Sequence, residues 1–136
     1  MEKLDVFYKI GATGIGGIIG YLYGGWSPLL QVLIAFVIVD YVTGLIASGV
    51  EGKLSSKAGF RGILKKIMIF LMVAVANLID SAIGENQLIR DATIFFYLAN
   101  ELLSILENAG RTGLPVPDAI KKAVEVLKGK SEGGNK

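Results

Sequence analysis

Histidine and cysteine are both missing from this 136-residue chain. Their absence removes disulfides, thiol nucleophiles, imidazole acid–base chemistry and the usual zinc and iron–sulfur sites. Charge is sparse as well. Asp, Glu, Lys and Arg make up 19% of the residues, below the roughly 25% of soluble domains. The net charge of +2 is too small to suggest a nucleic-acid partner. No paired-carboxylate, Ser–Lys or metal-ligating constellation stands out, so neither an enzyme nor a cofactor is expected.

Apolar length is what the chain has instead. It is 52% hydrophobic, with a mean hydropathy of +0.56. A membrane span needs about 20 mainly apolar residues. Four stretches offer that length: 6–25, 29–48, 63–83 and 88–108. The first, preceded by Lys3 and carrying Lys9 near its start, reads as an uncleaved signal anchor. The second is almost wholly aliphatic except for Gln31, Asp40 and Thr43. A soluble bundle needs polar outer faces, and the first two stretches have too few polar residues to make them. The expected fold is therefore all-α, an integral membrane protein with four transmembrane helices, or three if segment 88–108 lies on the surface. A short amphipathic helix, 118–128, should rest at the interface on Ile120, Ala123, Val124 and Leu127. Residues 1–128 read as one transmembrane domain and 129–136 as a polar, disordered tail.

Basic residues orient this arrangement. With four spans and both termini in the cytoplasm, Arg90 alone of the fourteen Lys and Arg residues lies outside. Cytoplasmic segments are enriched in such residues. A basic loop carrying Lys53, Lys57, Arg61, Lys65 and Lys66 would then contact the anionic inner leaflet.

Residues 14–25 read GIGGIIGYLYGG. A phosphate-binding G-x-G-x-x-G starting at Gly14 fails, because its last position is Ile19. Gly16, Gly20 and Gly24 instead repeat every four residues, a small-x-x-x-small spacing that lets another helix approach closely in lipid. Self-association and packing within one subunit both fit it.

Polar groups within the spans are expensive in hydrocarbon. Asp40, followed by Thr43 and Gly44, would bind a cation, line a pore, pair with a lysine of the basic loop, stay protonated, or fix helix packing by a hydrogen bond. Asn77 is expected to hydrogen-bond another helix, and Asp80 to be solvated at the outer interface. In the fourth segment Arg90, Thr93, Tyr97, Asn100, Glu101, Ser104, Glu107 and Asn108 form one polar stripe. Such a stripe must face protein or water. It fits an internal seam, the lining of an oligomeric lesion, or a surface-bound helix.

Several motifs in order resemble a known family: DYVTG at 40–44, GKLSSK at 52–57, GFRG at 59–62, Lys65-Lys66, IRD at 89–91, Asn100-Glu101 with Ser104 and Glu107-Asn108, and GLPVP at 113–117. Across about residues 28–128 the chain resembles the toxin-secretion and phage-lysis holins. The resemblance implies a phage or prophage protein of the bacterial inner membrane, which oligomerises and opens timed lesions. Its working partners would be the lipid bilayer, further copies of itself, and an endolysin or exported toxin that passes through. The matched motif positions are Asp40, Thr43, Gly44, Ser56, Lys57, Gly59, Gly62, Lys66, Asn100 and Glu101, and no individual role is implied for them. A small ion channel or transporter subunit using Asp40 and Glu101 is a second reading. A non-pore membrane adaptor is a third.

Overall fold

The structure, a computed structural model, describes residues 2–132. Among them are five helices and no strand: α1 (Glu2–Tyr23), α2 (Pro28–Val50), α3 (Ser56–Ile83), α4 (Leu88–Arg111) and α5 (Asp118–Ser131). Two of them, α2 and α3, are long and apolar enough to cross a membrane.

Local chemistry sets most of the boundaries. Ser27 caps α2 by accepting from Leu30 N at 3.2 Å, and Pro28 occupies the first turn, where its missing N–H costs nothing. Ser55 caps α3 through Ala58 N at 3.3 Å. Gly84, at φ 76°, ends α3 in the left-handed conformation.

Three expectations change. The basic stretch is a loop only around Lys53, because α3 already begins at Ser56. Lys57, Arg61, Lys65 and Lys66 lie on that helix, since Ser55 starts it early and Lys and Arg propagate helices well. Gly24 is not on the α1 face. It follows the helix at φ 73°, with its N–H bonded to Gly20 O at 3.0 Å, and terminates it. Gly16 and Gly20 remain on the helix. Finally, α5 continues through Ser131, so Gly129–Ser131 are helical, not tail; residues 133–136 lie outside the described part.

The core is a three-helix seam. Leu30, Leu33 and Val37 of α2 meet Val73 of α3 and Ile94 and Leu98 of α4. α4, the most polar of the four long segments, is the central helix, packed against α2, α3 and α5. α2 and α4 run parallel and α3 runs antiparallel to both. At one end Arg90 reaches Tyr23, and at the other Asn108 reaches Asp40. α1 has no buried residue; its main neighbour is α3.

The outside of this bundle is apolar. Ile38, Val39, Val42 and Ile46 of α2 are exposed, as are Ile67, Met68, Leu71 and Val75 of α3. A contiguous apolar exterior of this kind is a surface for lipid, not water.

Candidate functional site

Polar side chains gather at the two ends of the seam and enclose the apolar middle. The first cluster lies where α2 ends, α3 begins and α4 ends. Asp40 and Glu101 are both buried, at 6% and 5% exposure. Lys66 Nζ donates to Asp40 Oδ2 at 2.5 Å and to Glu101 Oε2 at 2.9 Å. One ammonium thus serves two carboxylates from two other helices. Asn108 extends the cluster. Its Nδ2 donates to Asp40 Oδ1 at 2.9 Å, Asp40 O at 3.1 Å and Thr43 Oγ1 at 3.0 Å.

The approach of α3 depends on small residues. Tyr41 OH donates to Gly59 O at 3.3 Å. A Cβ on Gly59 would sit 3.3 Å from that same hydroxyl, tighter than ordinary contact. A half-open cavity of about 220 Å³ lies beside the cluster, lined by Asp40, Tyr41, Lys66, Ser104 and Asn108 among others. At its mouth Arg111 pairs with Glu51, Nη2 to Oε1 at 2.6 Å. That hydrogen bond holds the Glu51 carboxyl below its ordinary range, and the same contact pushes the Arg111 guanidinium up.

The second cluster works at the other end. Asp80, 1% exposed, accepts from Ile89 N at 3.0 Å and Arg90 N at 2.7 Å. It is the N-terminal cap of α4, delivered from α3, and this corrects the expected interfacial solvation. Gln87, in the cap position itself, makes no side-chain cap bond, so the first turn of α4 recruits a carboxylate from outside. The end of α1 is treated in mirror fashion. Asn77 Nδ2 donates to Tyr21 O at 3.2 Å, Arg90 Nη1 to Tyr23 O at 2.7 Å, and Gln87 Nε2 to Gly24 O at 3.1 Å. A side chain on Gly24 would collide with these donors.

The expected site residues therefore divide. Asp40, Thr43, Glu101 and Ser104 come together at the first cluster, with Lys66 at its centre. Asn77 is at the far end. Asn100 and Glu107 point outward from the bundle. Gly16 and Gly20 face open space, with nothing within 4 Å of a Cβ built there. Lys53, Lys57, Arg61 and Lys65 are exposed. Reading the sequence undervalued Lys66, Asn108, Asp80 and Arg90. A lysine at the edge of a basic run carries no sign of its burial. Asp80 and the α4 start are joined only by the turn between them. Among the described residues, no buried side-chain polar atom lacks a partner and no acidic group is arranged to hold a metal.

Comparison with known proteins decides the family. The model of the bacteriophage holin family matches residues 17–129. The chain belongs to that family. Its members permeabilise membranes and are not enzymes. The match contains α2, α3 and α4 and both polar clusters. An uncharacterized protein of Listeria monocytogenes is 50% identical over 128 residues, covering 94% of this chain and 91% of its own. An uncharacterized 14.9 kDa protein of Clostridium perfringens is 34% identical over 131 residues, covering 96% and 99%. A probable holin of Bacillus phage phi105 is 36% identical over 107 residues, covering 79% of this chain and 78% of its own. No solved structure matches.

Family membership and the two apolar helices make this a protein of the bacterial inner membrane.

Proposed function

We propose that this holin crosses the inner membrane four times, through α1 to α4, and that timed lesions form when copies assemble and open the polar seam. The carrying observation is the burial of that seam: Asp40, Glu101 and Asn108 are each 6% exposed or less and fully partnered inside one chain. A single copy hides the groups that a lesion would need to present to water. Separating α4 from α2 and α3 would expose Asp40, Thr43, Glu101 and Ser104 together. Asn77 would join them from the other end, and the outward Asn100 and Glu107 would complete a polar wall.

Length supports the crossings. α1, with 22 residues, is the shortest of the four; at about 1.5 Å per residue it still reaches about 33 Å, against a hydrocarbon core of about 30 Å. The alternating directions of α2, α3 and α4 put Lys53, Lys57, Arg61, Lys65 and Arg111 at one end, which positive-inside bias assigns to the cytoplasm. Trp26, Tyr21 and Tyr23 sit at the opposite end, as interfacial aromatics do. In this arrangement residues 1–128 act as one membrane domain and both termini are cytoplasmic. The open faces of Gly16 and Gly20 are where α1 of another copy would approach. The cargo would be an endolysin, or a toxin, that passes through without direct binding.

The test is induced expression in a bacterium carrying a cytosolic reporter enzyme, with peptidoglycan weakened by added hydrolase. Membrane potential and reporter escape are followed together. Sudden depolarisation with reporter release is expected. Depolarisation alone would favour the small-channel reading through Asp40 and Glu101. Neither change, with the protein in the membrane, would favour an adaptor.

A further inference from the structure

α5 is amphipathic, and the middle and end of its apolar side are already occupied. Val124 is buried and Leu127 packs on the core seam. Lys121, Lys122, Lys128 and Lys130 are all exposed. The helix folds back along α4 as an antiparallel hairpin, far enough that Ser131 shares a groove with Leu88, Thr93 and Phe96 at the start of α4. This packing conflicts with a membrane-crossing α4. If α4 runs from the outer to the inner face, docked α5 runs back from the inner face toward the outer one. Lys121 and Lys122 would then stand within the bilayer, and Lys128 and Lys130 near the side that basic residues avoid.

We infer that α5 is a strap with a second docking surface, the anionic phospholipid headgroups of the inner leaflet, and that it leaves α4 to reach them. The inference rests on the four-span reading above. The same apolar stripe serves both positions: Ala123, Val124 and Leu127 are covered by the bundle when docked, and together with the exposed Ile120 they would meet acyl chains when released. The lysines are idle on the bundle and attracted to headgroups on the membrane. The segment Thr112–Pro117 supplies the hinge. Gly113 there has φ 87°, and Pro115 and Pro117 keep helix from propagating across it. Release uncovers the side of α4 that carries Thr93 and Phe96, so lipid composition would set how much of α4 is free to meet other chains.

The absence of native cysteine makes the test direct. The full chain carrying Phe96→Cys and Ser131→Cys is spin-labelled, diluted with unlabelled chain, and measured in neutral detergent micelles and in phosphatidylglycerol-containing vesicles. A short distance is expected in micelles. In the vesicles the end of α5 should move by about 30 Å, the displacement of a helix of about 21 Å swung through a right angle. Changing Lys121, Lys122, Lys128 and Lys130 together to Gln should shift the vesicle distance back toward the docked one. A pair that stays short in the vesicles overturns the strap. Equal opening of the four-Gln variant overturns the headgroups as its partner. A separate Glu85→Cys chain, probed in cells with a membrane-impermeant thiol reagent, reports whether α4 crosses. If Glu85→Cys cannot be labelled from outside, the four-span reading fails and takes the strap with it. Labelling of Glu85→Cys together with a short Phe96–Ser131 distance removes the strap alone.

Discussion

At the Gly24 end of the bundle, buried polar side chains bond mainly to backbone, with Arg90 also paired to its neighbour Asp91; at the Asn108 end, they bond mainly to one another. Asp80, Asn77, Gln87 and Arg90 satisfy the open N–H groups of α4 and the open carbonyls at the end of α1. Those groups exist wherever a helix stops, so the cluster does the work of a cap. Lys66, Asp40 and Glu101 have no such backbone debt to settle. They form a charged knot that an apolar packing of similar volume would equal or better in stability. A polar group that completes a helix end holds the fold together. Charges that only balance one another cost desolvation, and in the proposed opening they are the groups that reach water. The difference assigns the architecture to the Asp80 end and the proposed opening to the Asp40 end.

The strongest way to break this contrast is Lys66→Met. It leaves two buried carboxylates without a cation, and a loss of about 3–5 kcal/mol is expected, the usual effect of halving a buried ion pair. Unfolding in detergent would measure it, and the reporter assay should show earlier lysis. Adding Asp40→Asn and Glu101→Gln should restore most of the stability. If the triple variant stays as unstable as Lys66→Met, the knot is structural and the contrast fails.

Asp80→Ala comes next. It frees two backbone donors and removes the negative charge at the N-terminus of α4, while the Arg90 guanidinium keeps its pair with Asp91, so about 2–3 kcal/mol should be lost. The same unfolding assay checks it. Its effect should fall on the exchange protection of the first turn of α4, with the Asp40 end unchanged.

Gly20→Leu lies outside both clusters. Nothing crowds the position, and leucine is the better helix former by about 0.8 kcal/mol. Stability should hold or rise slightly, while lysis timing shifts if α1 meets another copy there. Unchanged timing would remove the glycine face from assembly.

The smallest effect concerns acid. Arg111 depresses the Glu51 carboxyl, so this pair stabilises the fold above the ordinary carboxyl value of 4.5. Its contribution should fade as pH drops through the depressed value, where the folded carboxylate takes a proton. Arg111 remains charged throughout. Glu51→Gln and the parent should therefore differ slightly in thermal midpoint at neutral pH and converge in strong acid. Both groups are solvent-screened, so the gap at neutral pH should be small.

How legible all this was depends on the residue. Asp40 announces itself, because a carboxylate in an aliphatic run is costly wherever it lands. The polar stripe of α4 is likewise visible at helical spacing, and Glu101 and Asn108 do turn inward. Lys66 hides in a basic run. Hydropathy registers transfer from water, not backbone hydrogen bonding, so it stops α3 where the lysines begin and misses the turns that Ser55 starts. Asp80 was misplaced for a related reason. Depth along a span suggests solvation, but the turn at Gly84–Gln87 folds the start of α4 over the carboxylate and removes the water.

By composition and order alone, the chain determines that it is helical, that α2 and α3 are apolar enough to cross a membrane, and where most helices start and stop. Those properties follow from side-chain transfer energies and from caps within a few residues of each boundary. Tertiary structure decides which polar groups meet. Lys66 joins Asp40 and Glu101 because α3 runs antiparallel to two parallel helices and is drawn close to α2 by Gly59 against Tyr41. α4 becomes central because its apolar face completes the Leu33 seam while its polar residues close both ends. Pairing between distant segments depends on helix direction and rotation, which no local run of residues encodes.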